Sequence, residues 1–254
     1  MKHKLRFYTL LFASVVAIVA GFAYVYRWEH REVRLEVNFF SLKRGRAIFI
    51  RTPENKTILV GGGQSSEVIR EITKATPFYS RKIDYVFIPS ANPAQIGGLI
   101  EVIDRYKVGE VFIPELMATS TVLEKLMRKV TNKKIYVSHL RKGDEQQLGS
   151  VDINILFPTK DFKYNKTSLP ELGMEVIYKD TRLLLMGNLS KTIQKKIAEK
   201  MKLGESENLV EFYHSASKTK VSAEFLEKTN PKYVFSTKEK STVWISGGSS
   251  WDKI

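Results

Sequence analysis

Cysteine is absent from the 254 residues, and histidine occurs only four times. The first absence excludes disulfide staples, thiolate zinc sites and cysteine nucleophiles in any compartment. The second leaves little material for a histidine-rich metal centre. Serine chemistry is no better provided for. Ser217 follows His214 by three residues, but no third triad member is identifiable and no serine sits in a Gly-x-Ser-x-Gly elbow. Gly61-Gly62-Gly63-Gln64-Ser65-Ser66 runs from a strand into a helix with no Gly-Lys-Ser/Thr after it. It reads as a tight turn with a serine cap ahead of an anion cradle. Low-complexity tracts and internal repeats are missing too. Acids are scarce beside bases, 27 against 41, for a formal net charge of +14. That surplus favours anionic partners such as nucleic acid or lipid headgroups, or else forms a solvated lysine-rich surface.

What is present is a hydrophobic content of 43%, enough for one good-sized core and one globular domain. Phe7 to Tyr26 carries no charge. At about 1.5 Å per helical residue its roughly 20 residues cross a hydrocarbon core of roughly 30 Å. Tyr8, Tyr24, Tyr26 and Trp28 lie near its two ends, where amphipathic rings prefer the headgroup level. A cleaved signal peptide competes with a permanent anchor, because the start is basic and Gly21-Phe22-Ala23 resembles a cleavage site. The apolar run continues past that site, which favours the anchor. Residues 1–26 are thus expected to form a cytoplasmic tip and transmembrane anchor, 27–34 a juxtamembrane connector, and 35–254 the globular domain. Lys2, Lys4 and Arg6 balance Arg27, Arg31 and Arg34, so the basic count leaves orientation tied. The short N-terminal tail favours a single-pass protein of the cell membrane with its domain outside the cytoplasm.

Beyond residue 34, strand and helix signals alternate. Runs rich in β-branched and aromatic residues predict strands at Leu35–Phe40, Ala47–Arg51, Thr57–Val60, Tyr85–Ile88, Glu110–Ile113, Lys134–Val137 and Val151–Leu156. Glu175–Tyr178, Leu183–Met186, Leu209–Phe212 and Tyr233–Phe235 complete the set. Helical stripes fall on Val68, Ile69, Ile72 and Ala75, on Val122, Leu123, Leu126, Met127 and Val130, and on Ile193, Ile197 and Met201. Helices also fit Ile96 to Tyr106 and Ser222 to Lys228. Hairpins mixed with crossover helices predict mixed sheets covered by helices.

Five stretches in order resemble the metallo-β-lactamase-like domain at the C-terminal end of the ComEC family of DNA-uptake competence proteins. FFSLKRGRAIFIRTP (residues 39–53) is similar to that family's opening hairpin, FLDVGQGDAILIRTP, and TILVGGG (57–63) to TILIDGG. DYVFIPSANPAQIGGL (84–99) stands in place of the metal motif HxHxDH or HxDxDH followed by IGGL. TRLLLMGNL (181–189) resembles LLLTGDL, and HSASKT (214–219), with Phe225-Leu226-Glu227 and Pro231-Lys232-Tyr233 after it, resembles HHGSKT…FLE…PKY. The resemblance implies an α/β fold, a metallo-β-lactamase-like αββα sandwich, here following an N-terminal transmembrane helix.

It also implies a degenerate site. Ser90, Asn92, Ala94 and Gln95 stand at the positions of the four metal-motif ligands, and Asn188 at the later aspartate. Ser41 and Gly61 replace two upstream acids, and His214 alone survives. Neutral serine and amide oxygens are poor ligands for zinc and alanine is none, so the expectation is a pseudoenzyme without metal or other cofactor. His139, just after a predicted strand, has no ligand partner at a recognisable spacing. Lys43, Arg44, Arg46, Lys218 and Lys220 would surround the old cleft as an anion-binding set for DNA or another polyanion. The bland alternative has these cations in solvent and the neutral residues tying loops. Three functions stand open at this point: binding of a polyanion or a membrane-protein partner, a scaffold in a membrane complex, and a hydrolase of unrecognised chemistry.

Overall fold

The structure, a computed structural model, describes residues 12–22, 34–77, 79–115, 119–159, 171–199, 209–212, 221–236, 241–245 and 251–253. The chain divides into two units, Met1–Val33 and Arg34–Ile254. Within the first, residues 12–22 form a helix, α1, with every residue exposed, among them Phe12, Val15, Val16, Ile18, Val19 and Phe22. Among the described residues no helix is long and apolar enough to cross a membrane. The flanks of the predicted span, 7–11 and 23–26, lie outside them.

The second unit contains two sheets. The first has eight strands: β1 (Leu35–Phe40), β2 (Ala47–Arg51), β3 (Thr57–Val60), β4 (Lys82–Phe87), β5 (Lys107–Pro114), β6 (Tyr136–Leu140), β13 (Ser241–Ile245) and β14 (Trp251–Lys253). Their spatial order is β14-β13-β1-β2-β3-β4-β5-β6. The other sheet holds β7 (Glu145–Leu148), β8 (Val151–Phe157), β9 (Gly173–Tyr178), β10 (Thr181–Gly187), β11 (Leu209–Phe212) and β12 (Tyr233–Ser236), ordered β12-β11-β10-β9-β8-β7. Both sheets are mixed: β1–β2–β3 is antiparallel, whereas β3 through β6 run parallel, and β10–β11–β12 are parallel after an antiparallel β9.

Strand periodicity decides the layers. Val37, Phe39, Ile48, Ile50, Ile58, Val60 and Phe87 face inward and meet Ile153, Ile155, Met174, Val176, Leu183 and Leu185 of the other sheet. Their neighbours Phe40, Phe49, Leu59, Val86 and Val111 point to the opposite face. There they pack under α2 (Glu67–Ala75), α4 (Leu99–Arg105) and α5 (Thr121–Asn132). Leu184, Met186 and Val210 do the same under α6 (Lys191–Ala198) and α7 (Ala223–Thr229). Helices therefore cover both outer faces of a two-sheet core, the αββα arrangement expected.

Several boundaries moved. The helix expected from Ile96 to Tyr106 is two, a single turn α3 (Pro93–Ile96) and α4, parted at Gly97-Gly98. A Cβ on Gly97 would lie 2.2 Å from the Gln64 carbonyl oxygen, and one on Gly98 would lie 2.1 Å from that of Gly62. This pair is thus where helix and loop backbones touch. The strand expected at Lys134–Val137 begins at Tyr136, because Lys134 has a φ of 55°, outside the extended region. His139 lies within β6 rather than after a strand. Strands β7, β13 and β14 had no counterpart in the sequence reading; Glu145-Gln146-Gln147 gives β7 almost no apolar signal.

Candidate functional site

The edge where β3, β4, β10 and β11 end carries most of the positions singled out in sequence. Its geometry begins at Gly45, whose φ of 78° turns the chain into β2. A Cβ there would lie 1.6 Å from the Ala94 carbonyl oxygen, so glycine is the residue this approach admits. Arg46 follows, and its side chain is completely buried. Its Nε donates to Glu171 Oε2 at 3.1 Å and its Nη1 to Glu211 Oε2 at 2.6 Å. Gln95, also completely buried, joins the same network. Its Oε1 accepts from the Arg46 backbone N–H at 3.2 Å, and its Nε2 donates to Glu171 Oε1 at 2.9 Å. Gly187 leaves the room this takes: a Cβ on it would fall 2.3 Å from Glu171 Oε2 and 2.6 Å from Arg46 Nη2.

Electrostatics follow from burial. Desolvation works against the Arg46 charge, but Glu211 and then Glu171 outweigh it and hold its pKa above the ordinary value. Desolvation pushes both carboxyls above the usual glutamate value while Arg46 pulls them back; Glu171 pushes Glu211 further up. Glu171 has the better-solvated anion, since Gln95 and the Asn188 backbone N–H also donate to it. Arg46 Nη2 and Glu211 Oε1 have no hydrogen-bond partner among the described residues.

This corrects one expectation. Arg46 was placed on the rim as an anion-binding cation, yet its charge is spent on two carboxylates inside the molecule. Lys43 and Arg44 are exposed as expected, although the Lys43 backbone N–H is tied to Glu67 at 3.0 Å. Lys218, Lys220 and His214 lie outside the described residues. Ser90 and Asn92 tie the loop: Ser90 Oγ accepts from the Asn92 N–H, and Asn92 Oδ1 caps α3 by accepting from the Ala94 N–H at 3.0 Å. Ala94 contributes the backbone against Gly45. The Gly61–Gly63 amides are likewise consumed, by the carbonyls of Phe87, Gln95 and Arg46. Ser66 makes no side-chain cap on α2, but the neighbouring Ser65 Oγ accepts from the Glu67 N–H at 3.5 Å.

Glu171 and Glu211 were missed. Glu211 had a signal, an acid in the middle of the predicted strand Leu209–Phe212, because a buried charge demands a partner. Glu171, beside Pro170, had none.

These residues do not fit a divalent metal. A guanidinium already lies against both carboxylates, the Gln95 amide is committed at both ends, and no group of three or more His, Asp or Glu converges among the described residues.

No protein-family model and no curated protein sequence matches the chain. Solved structures do match by shape. The metallo-β-lactamase fold protein YhfI from Bacillus subtilis superposes with a TM-score of 0.56 at 10% identity, covering 81% of this chain and 86% of its own. A diphosphatase from the PhnP family gives 0.51 at 12% identity, with the same coverages. CmlA, a diiron β-hydroxylase from Streptomyces venezuelae, gives 0.52 at 15% identity over 80% of this chain. The chain spans 44% of the length of CmlA. The fold is therefore that of the metallo-β-lactamases; at these identities the likeness extends to architecture alone.

Proposed function

We propose that this protein is a catalytically silent metallo-β-lactamase-fold domain, held at a membrane by its N-terminal apolar segment and acting by assembly rather than by hydrolysis. One observation carries the reading: at the edge where the ComEC-like resemblance puts a metal centre, the Arg46 guanidinium lies between Glu171 and Glu211. A fixed internal cation repels a second one, and the neutral side chains around it are used up in holding loops. The tether rests on the uncharged run from Phe7 to Tyr26 and on α1, whose apolar side chains are exposed around its whole circumference.

Polyanion binding in the old cleft has less behind it, because Arg46 is withdrawn from solvent. The scaffold reading therefore leads.

The test uses the full chain purified in detergent. Metal analysis is expected to find no stoichiometric transition metal, and assays with a β-lactam and a phosphodiester are expected to give no turnover above that of the buffer. One equivalent of tightly held metal, with hydrolysis lost in His214→Ala, would overturn the reading. Alkaline carbonate extraction of membranes reads the tether separately: the chain should remain in the pellet.

A further inference from the structure

Strand register places a second feature at the opposite edge of the eight-stranded sheet. Glu36 pairs with Arg51 and Arg51 with Thr57, while one residue along Ile58 pairs with Tyr85, Tyr85 with Glu110 and Glu110 with Tyr136. These residues form one row near the starts of β1, β3 and β6, and β4 and β5 run three residues beyond it, to Lys82 and Lys107. Leu35, where the chain enters the domain from the N-terminal segment, is level with Lys134.

This row is basic. A groove of about 610 Å³ opens here, with Arg81, Arg105, Lys107, Lys133 and Lys134 around it and Tyr106 within it. All five cations are exposed. Of the acids nearby, Asp104 pairs with Lys129, Glu101 with Arg105, Asp84 with Lys82 and Glu36 with Arg51, while Glu110 accepts from the Ser138 hydroxyl. Arg81, Lys107 and Lys134 have no carboxylate partner among the described residues. The Tyr106 hydroxyl is buried without a hydrogen-bond partner among the described residues, a donor left over in the groove wall. Two aromatic side chains flank the edge and stand out from it, Tyr79 with 73% exposure and Tyr136 with 69%.

We infer that this edge is a docking face for the headgroups of an anionic lipid bilayer, and that it seats the domain on the membrane into which its own N-terminal segment inserts. The inference rests on the tethered reading above. Geometry and charge agree on the occupant. β1 and β5 are four strands apart, about 19 Å at the usual strand spacing. The connector 27–34, even fully extended, reaches only about 28 Å. A bilayer holding residue 26 is therefore within reach of the whole row. Unpaired cations supply attraction to anionic headgroups, and exposed tyrosines suit the headgroup level of an interface. The vestigial cleft, on the other edge, would then open away from the lipid.

The absence of cysteine allows a clean experiment. The full chain carrying Tyr136→Cys, labelled with a fluorophore, is reconstituted into vesicles of phosphatidylcholine alone or mixed with phosphatidylglycerol, each with a headgroup quencher. Quenching is expected in the anionic vesicles, weak in the neutral ones, and reversed by salt. A label on Arg44→Cys, at the opposite edge, should be quenched in neither. With each cation near the surface giving roughly a five-fold gain, Arg81→Glu/Lys107→Glu/Lys134→Glu should lower the docked-to-free ratio on the order of 100-fold or more. Equal quenching in both vesicle types, or at both labels, overturns the proposal. So does a DNA duplex that protects the Tyr136→Cys label where anionic vesicles do not, which would make the edge a nucleic-acid surface. Flotation with neutral vesicles reads the tether independently. Should the chain fail to float there, flotation with anionic vesicles that the triple reversal abolishes still supports the docking face, and its absence removes it.

Discussion

Arg46 and Glu211, separated by 165 positions in the chain, meet at 2.6 Å with neither side chain exposed to solvent. The contact joins the first strands of one sheet to the end of a late strand in the other, and Glu171 closes it from a third direction. Breaking it from one side should be costly. Arg46→Met is expected to lose about 3–5 kcal/mol, because two buried carboxyls are left facing each other without a cation. Arg46→Met/Glu171→Gln/Glu211→Gln should recover much of that. Urea denaturation of the three proteins checks the order.

The charge count inside the cluster makes a pH prediction. One guanidinium faces two carboxyls, and desolvation together with Glu171 keeps the Glu211 carboxyl above its ordinary value of 4.5. A folded pKa above the unfolded one gives stability that is complete below the unfolded value and is lost as pH rises through the folded value. Stability should therefore fall as the pH is raised above about 4.5 toward the folded Glu211 value. Glu211→Gln, which mimics the protonated carboxyl, should flatten that slope. An identical slope in the variant would locate the proton elsewhere.

Asp84 should act in the other direction. Although burial opposes its charge, Lys82 and the Thr57 backbone and hydroxyl donors hold its pKa below the ordinary 3.8. Its contribution is present above that value and is lost as pH falls through the lower folded one. Asp84→Asn should thus destabilise the protein at neutral pH, by about 1–3 kcal/mol, and lessen its sensitivity to acid. Thermal melts at neutral and acid pH separate the two effects.

Gly45→Ala tests the approach of the β2 turn to α3. With a positive φ and a Cβ 1.6 Å from a carbonyl oxygen, the substitution needs backbone movement. A loss of about 3 kcal/mol or more is expected. Gly143→Ala, also at positive φ but with open space around it, should cost about 1–2 kcal/mol.

DNA binding, if present at low salt, should follow total charge and not the old cleft. Arg44→Glu and Lys196→Glu should weaken it equally, by fluorescence anisotropy across a salt series. A steeper loss from Arg44→Glu would return the cleft to consideration.

Much of the architecture was legible because apolar spacing reports which face of an element meets a core. The β-branched and aromatic runs at Ala47–Arg51 and Thr57–Val60 and the stripe Leu123, Leu126, Val130 each predicted an element that the structure contains. β7 was not legible, since Glu145-Gln146-Gln147 pairs through its backbone, which pattern does not record. The break at Gly97-Gly98 between α3 and α4 was not legible either, because it depends on where Gln64 and Gly62 present their carbonyls.

The candidate site divides along the same line. Sequence alone determined that cysteine chemistry is excluded, that Ser90, Asn92, Ala94 and Gln95 are neutral, and that a long uncharged run precedes the domain. These are properties of residue identity and of local order. Only the tertiary structure decided that Arg46 is an internal cation and not a rim cation, and that Arg81, Lys107 and Lys134 lie on the edge where the chain enters. A charge is pulled inward or left in water according to the carboxylates that reach it, and those come from distant parts of the chain.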